Sequence, residues 1–407
     1  MFSRRIPADL SPNRVTAVLE RLREDGRNLI DLTEANPTRV GLLASGELMS
    51  ELGRREAAVY DPAPFGHPRA REAVALDFAR RGLDVSPGRI LLTASTSEAY
   101  SLLFKLLCDP GDEVLVPRPS YPLFDHLTRL DAVTAVPYAL EHHGVWSVNV
   151  SDLASKWSPR TRAVLVVSPN NPTGSMLSSA DRAALVDLCA ARHSALIADE
   201  VFADYRLEPL ATRTESLAME PRVLSFSLGG LSKALGLPQL KVAWTTVSGP
   251  TGVVDAALAR LEIIADAYLS VNTPAQLALA TLFERGVGLR DAILTRVRSN
   301  YDALGALVRA HPSCERLRAE GGWSAVVRVP AIMPDEALAV ELLERDGVLV
   351  HPGYFFDFDG DGYLALSLLP EPERFHEGVS RVLHRVERLV STGAVAVPMP
   401  ATGKGRA

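Results

Sequence analysis

The sequence predicts an α/β fold: a mostly parallel, seven-stranded central sheet covered by helices, followed by a smaller α+β domain. Three observations carry this. Between Arg89 and Val247, short apolar runs alternate with amphipathic helical stretches, the pattern of repeated strand–helix–strand units. Runs such as Ala163–Val167 are apolar throughout, as a strand covered on both faces must be. The chain has 407 residues, 47% apolar and 23% charged, ordinary globular values with length for two or three domains.

The strands of the first region are expected at Ile90–Thr93, Glu113–Val116, Ala132–Pro137, Arg162–Ser168, Ser194–Ala198, Val223–Ser227 and Lys241–Val247. Helical periodicity fills the gaps at Ser97–Cys108, Ser120–Leu130 and Ser178–Arg192. Gly249–Pro250 closes the region. Helices follow at Asp255–Tyr268, Pro274–Glu284 and Gly288 to about Ala310. A second unit opens near Cys314, with strands at Ser324–Val329, Val348–Val350 and Tyr363–Leu368, then a last helix from about Pro372 to Val390. The division expected is an N-terminal segment 1–45 packing with the small domain, a large domain 46–288, a small domain 289–393 and a flexible tail 394–407.

Composition excludes several functions. The 43 basic and 49 acidic residues leave a net charge of −6 without long single-sign runs, so neither a nucleic-acid nor a membrane partner is expected. No apolar stretch approaches the roughly 20 residues a bilayer-spanning helix needs. The first residues carry two arginines but no apolar core of a secretory signal. Cys108, Cys189 and Cys314 are odd in number, far apart and outside any CxxC pattern. Free thiols in the cytoplasm are expected, with no metal site. Only five of the basic residues are lysine, so each lysine invites a chemical question.

Ligands of open α/β sheets bind at the carboxyl ends of the strands. Four loops there carry unusual residues. Ala94-Ser95-Thr96-Ser97-Glu98 leads into a helix, and hydroxyls at a helix N-terminus make either a phosphate cradle or an ordinary cap. Pro169-Asn170-Asn171-Pro172-Thr173-Gly174 is a tight turn that offers the Asn171 amide to a bound oxygen. Asp199-Glu200 ends a buried strand, a costly place for an acid unless a donor or cation meets it. In Leu228-Gly229-Gly230-Leu231-Ser232-Lys233 a rare lysine follows glycines and a serine, with Lys241 eight residues on. Lysine is the side chain whose lowered pKa serves Schiff-base chemistry.

In that order and placement, SPNNPTG, ADEVF and SLGGLSKALGLPQLK resemble the class I/II aminotransferases, fold-type I enzymes dependent on pyridoxal 5′-phosphate, from about Asn28 to Val390. The resemblance implies that Lys233 forms the internal aldimine and shuttles the proton, and that Asp199 pairs with the pyridinium N–H. It implies Asn171 on the ring oxygen O3′, Tyr121 stacked on the ring, and Ser95, Thr96, Ser232 and Lys241 on the phosphate. Tyr60 resembles the tyrosine that reaches the neighbouring subunit's phosphate, implying a homodimer with shared sites, and the resemblance implies that Asn272 and Thr273, in VNTPAQ, likewise cross the interface. The implied reaction exchanges an amino group between small-molecule amino and 2-oxo acids.

Three positions depart from the family. Lys241 stands where an arginine usually binds phosphate, and Phe202 where many members have a tyrosine on O3′. Ala365, in Tyr363-Leu364-Ala365-Leu366-Ser367, stands where an arginine usually clamps the substrate carboxylate. Asn36 and Arg39 are the expected substitutes, with Arg118 and His351 behind them. The missing clamp leaves a lyase, decarboxylase, cyclase or oxidase on the same scaffold as the alternative. A cofactor-binding regulator is disfavoured, because no helix-turn-helix pattern or basic surface precedes the sheet.

Overall fold

The computed structural model describes residues 2–208 and 216–392. The expected tail 394–407 lies outside the described residues. A two-residue strand β1 (Ile30–Asp31) comes first. Eight strands follow: β2 (Ile90–Thr93), β3 (Glu113–Arg118), β4 (Thr134–His142), β5 (Trp146–Val148), β6 (Thr161–Val167), β7 (Ala195–Asp199), β8 (Ser225–Gly230) and β9 (Ala243–Ser248). They form one sheet in the order β2-β9-β8-β7-β6-β3-β4-β5. The contiguous run β8-β7-β6-β3-β4 is parallel, while β9 runs against both of its neighbours.

Alternation along the strands shows why the apolar runs are continuous. Val114, Val116, Ala163, Leu165, Val167 and Ile197 enter one core, with the helices Thr96–Leu107 and Thr251–Asp266. Their neighbours Leu115, Val164, Val166, Leu196 and Ala198 enter another on the opposite face, with the helix Ser179–Arg192. Both faces exclude water, so neither can alternate with polar residues.

The seven expected strands are present, and an eighth was not foreseen. It is β5, a three-residue hairpin partner of β4 after the turn at Gly144, too short to give a period. β4 begins at Thr134 and not Ala132, because Ala132 sits in a left-handed turn at φ 59°. The helix expected from Ser120 begins at Phe124, beyond Pro122. Lys241 also lies outside its expected strand, in the left-handed region at φ 53°.

The second unit holds β10 (Glu315–Arg316), β11 (Ser324–Arg328), β12 (Val348–Leu349), β13 (His351–Pro352) and β14 (Tyr363–Ser367). The sheet β10-β11-β14-β13 is antiparallel. β12 pairs instead with β1, in parallel. The Leu32 carbonyl accepts from the Ser367 N–H at 2.7 Å. The N-terminal segment is therefore stitched to the C-terminal unit.

Candidate active site

The parallel strands deliver their C-terminal ends to one edge of the large sheet, and five loops at this edge bring the predicted residues together. At the end of β2, Ser95 caps the helix Thr96–Leu107, its Oγ accepting from the Glu98 N–H at 3.1 Å. Glu98 in turn accepts from the Ala94 N–H at 2.6 Å and from the Ser270 hydroxyl at 2.7 Å. Ser95 is thus an ordinary cap in the protein alone. Thr96 occupies the first helical turn, where N–H groups lack intrahelical acceptors and the dipole favours an anion.

Behind β3 and β6, Asn170 is the buried rivet. It accepts from the Ser120 hydroxyl (2.7 Å) and donates to the Pro119 carbonyl (3.0 Å) and Thr173 Oγ1 (2.8 Å). This locks the Tyr121 loop to the Asn171 loop. Tyr121 itself remains 41% exposed, edge-on to Phe124. Asn171 is half-buried and accepts from the Ser324 hydroxyl of β11 at 3.3 Å, so it lies where the large sheet meets the small one. Gly174 closes the turn at φ 66°, and a Cβ there would stand 2.5 Å from that of Ala319. Only glycine allows this approach.

Asp199 and Lys233 end the adjacent strand paths β7 and β8. Asp199 is buried and has no ion-pair partner among the described residues. Tyr100 O–H donates to its Oδ2 at 2.8 Å, and the Val201 N–H to its Oδ1 at 3.2 Å. Burial raises its pKa, and those two bonds and the Lys233 charge oppose the rise. Burial lowers the Lys233 amine to about 8, against the pull of Asp199. Lys233 Nζ lies 4.8 Å from the Trp323 ring centroid and 5.6 Å from that of Phe202. Ser232 precedes it in the short helix Leu231–Ala234, and Tyr205 O–H donates to the Lys233 carbonyl at 2.6 Å. Glu200, the other acid of this turn, is consumed by Ser216, Leu217 and Ser227.

The remaining predictions divide. Lys241 is exposed just before β9, on the same edge, and Asn272 Nδ2 donates to the Leu240 carbonyl at 3.1 Å. Because Asn272 also caps the helix Thr273–Arg285, both ends of its amide are engaged within its own chain. Tyr60 is 76% exposed and lines a separate crevice with Tyr268, Ser270 and Thr273. No hydrogen bond or ring contact joins it to Lys233 or Asp199 among the described residues. Asn36 accepts from the Thr38 N–H and hydroxyl at 3.0 and 2.8 Å. Arg39 is largely exposed and stands 3.5 Å from Glu34. The Glu34 carbonyl accepts from the Ser367 hydroxyl at 2.6 Å, so this segment lies over the end of β14.

Ala365 is 2% exposed, paired with Val326 and His351 and packed with Trp146, Phe356 and Phe358. His351 stacks on Phe355, 5.1 Å between centroids. Arg118 is engaged by Asp125 and Asp357. Sequence reasoning missed Tyr100 and Trp323. The signal for Tyr100 was a phenol on an otherwise apolar helix face, one turn past the hydroxyl loop. Trp323, directly before β11, had none.

The family profile described as aminotransferase class I and II matches residues 37–381. The chain belongs to this family. It is 25% identical over 371 residues to the glutamate-pyruvate aminotransferase AlaA of Haemophilus influenzae, covering 89% of this chain and 91% of that one. It is 28% identical over 365 residues to an alanine aminotransferase of Mycobacterium bovis, covering 86% and 83%. Among solved structures, a Thermus thermophilus aspartate aminotransferase double mutant aligns with a TM-score of 0.81 at 26% identity, covering 94% and 99%. An alanine aminotransferase from Pyrococcus furiosus, at 23% identity and a TM-score of 0.84 over 92% and 96%, shares the fold.

The protein is thus a pyridoxal-phosphate-dependent aminotransferase of fold-type I, acting on amino and 2-oxo acids. The lyase, decarboxylase, cyclase and oxidase readings are not favoured. Its donor set suits the cofactor: an amine of lowered pKa, an acid without an ion-pair partner among the described residues, and a helix N-terminus, all at one sheet edge. No helix among the described residues is long and apolar enough to cross a membrane.

Proposed function

We propose that the aminotransferase reaction runs on Lys233, Asp199 and Tyr121, as a ping-pong exchange. The observation that carries this is the pairing of a lysine amine lowered to about 8 with a buried carboxylate at the ends of adjacent strands. When bound, pyridoxal phosphate supplies an aldehyde that captures amino groups and a ring that delocalises the electron pair left at Cα. Lys233 Nζ holds the cofactor between turnovers and moves the proton from the substrate Cα. A depressed pKa suits it to take that proton near neutral pH. Asp199 accepts from the ring N–H, Asn171 donates to the ring hydroxyl oxygen, and Tyr121 covers one ring face. Ser95, Thr96, Ser232 and Lys241 hold the phosphate.

The substrate carboxylate meets Asn36 and Arg39 in place of the missing clamp. The Ser367–Glu34 bond supports this, because it seats the N-terminal segment on the same strand end that carries Ala365. Relatives named for alanine and for glutamate and pyruvate make these the first substrates to test. We also infer a cytoplasmic homodimer with Tyr60 completing the partner's phosphate site. The exposed apolar residues Val59, Tyr60, Ile263, Tyr268 and Leu269 support it. Segment 1–45 is assigned to the small domain 289–393, and 46–288 to the large one, supported by the β1–β12 pairing.

The test is visible absorbance of the purified holoenzyme, followed while single amino acids are added without acceptor. Bleaching by alanine or glutamate, reversed by pyruvate, supports the reading. A band unchanged by any amino acid overturns the exchange. A band of undiminished strength in Lys233→Ala removes Lys233 from its role.

A further inference from the structure

We propose that Tyr100 is a positioning residue for cofactor chemistry: its O–H keeps Asp199 in the anionic form that accepts from the ring nitrogen. The inference rests on the reading of Asp199 given above, and it concerns a residue outside the strand-end motifs.

Asp199 lies in a poor place for a charge. It is buried, and among the described residues no arginine, lysine or histidine comes within ion-pair distance of it. The groups that act on it are Tyr100 from the helix Thr96–Leu107, Tyr121 from the loop after β3, Val201 on its own turn, and Lys233 after β8. Lys233 acts through space, and its own amine is lowered to about 8. Its positive charge therefore fades above that pH. A buried carboxyl in such surroundings drifts toward its neutral form. A neutral Asp199 carries a proton of its own, and the ring nitrogen then loses its partner anion. Two donors oppose that drift: Val201 N–H at 3.2 Å on Oδ1, and Tyr100 O–H at 2.8 Å on Oδ2. The phenol is the shorter bond.

The phenol is also built to stay a donor. Tyr100 is buried, and burial together with the Asp199 charge drives its pKa well above the ordinary value. It stays protonated throughout the working range. Its ring is fixed by an edge contact with Phe124, 5.5 Å between centroids, and by Phe104 at 6.1 Å. Ser95 and Glu98 cap the same helix, so one rigid element carries both the N-terminus that would hold the phosphate and the phenol that donates to Asp199.

The experiment uses holoenzyme loaded with pyridoxal phosphate labelled with 15N in the ring. In wild type the ring resonance is expected in the protonated range across neutral pH. In Tyr100→Phe it moves toward the unprotonated range, and the cofactor dissociation constant rises roughly tenfold, the loss of one charge-assisted hydrogen bond. Asp199→Asn serves as the reference and gives a larger shift of the same sign. A Tyr100→Phe resonance identical to wild type, beside a shifted Asp199→Asn, overturns the role of Tyr100 and leaves Asp199 intact. No shift in either variant overturns the reading of Asp199. If Tyr100→Phe does not fold, 3-fluorotyrosine at that position keeps the shape and strengthens the donor. The proton shared with Asp199 must then lie further toward the ring nitrogen, moving the resonance to the protonated side of wild type at the same pH, and an unmoved resonance refutes the proposal.

Discussion

Two regions meet at Asn171, and they are held by different physics. On the large-sheet side the polar groups are locked before any ligand arrives. Asn170 makes three buried hydrogen bonds, Ser95 and Glu98 cap a helix, and Tyr100 and Val201 grip Asp199. On the small-sheet side β14 is apolar at Ala365, and polar contacts at its end come from the N-terminal segment, hundreds of residues away in sequence. The first side is preorganised within the strand–helix units; the second is assembled by tertiary contact. Preorganisation suits a cofactor of constant shape, and a surface made from an exposed segment suits discrimination among substrates.

The largest expected effect lies wholly in the first region. Lys233→Ala should slow the half-reaction of the loaded enzyme with amino acid by roughly a thousandfold or more, the upper range for loss of a positioned proton carrier. Stopped-flow absorbance reads it. A loss of only a few-fold would show that another base moves the proton, and the contrast between the two regions would lose its centre.

Adjacent asparagines give a sharper cut. Asn170→Ala leaves Ser120, Thr173 and the Pro119 carbonyl without their buried partner, and should cost about 2 kcal/mol of stability, seen as a lower urea midpoint. Asn171→Ala loses one long contact to Ser324 and should leave the midpoint nearly unchanged while weakening cofactor binding. Equal stability losses in the two variants would contradict this division into rivet and ligand.

The lysine also carries a pH signature. Its pKa falls from the ordinary 10.5 to about 8 on folding, so between those values the unfolded chain binds more protons than the folded one. Stability of the cofactor-free protein should therefore gain a contribution as pH rises from about 8 toward 10.5. Lys233→Met removes the group and should flatten that limb. Denaturant melts across this window, compared between the two proteins, decide it; parallel curves would mean the amine is not desolvated.

The same contrast explains what could be read in advance. Asp199, Asn171 and Lys233 stand at strand ends inside local patterns, so the α/β alternation placed them on one edge without knowledge of the packing. Tyr100 escaped notice because its partner is 99 residues away and nothing local marks a phenol as aimed at an acid. Trp323 reaches Lys233 only because β11 lies against the Asn171 loop. The strand β5 was missed because three residues carry no period. Tyr60, singled out by its resemblance to a residue that reaches the neighbouring subunit, stands exposed beside Tyr268, Ser270 and Thr273 of its own chain.

The smallest expected effect tests the second region. Arg39 is three-quarters exposed and held only at 3.5 Å by Glu34, so water screens its charge and no large stability change follows its removal. If the segment supplies the carboxylate contact, Arg39→Ala should raise the KM of the amino donor roughly threefold to tenfold with kcat little altered, the mark of a contact made equally in ground and transition states. Glu34→Gln should act in the opposite sense, freeing the guanidinium and lowering KM. That opposition is the informative part, because a merely structural role for the Glu34–Arg39 pair predicts the same direction for both variants. Matching losses, or no change in KM for Arg39→Ala, would return the carboxylate to the apolar face of β14 and make His351, beside Ala365, the next residue to change.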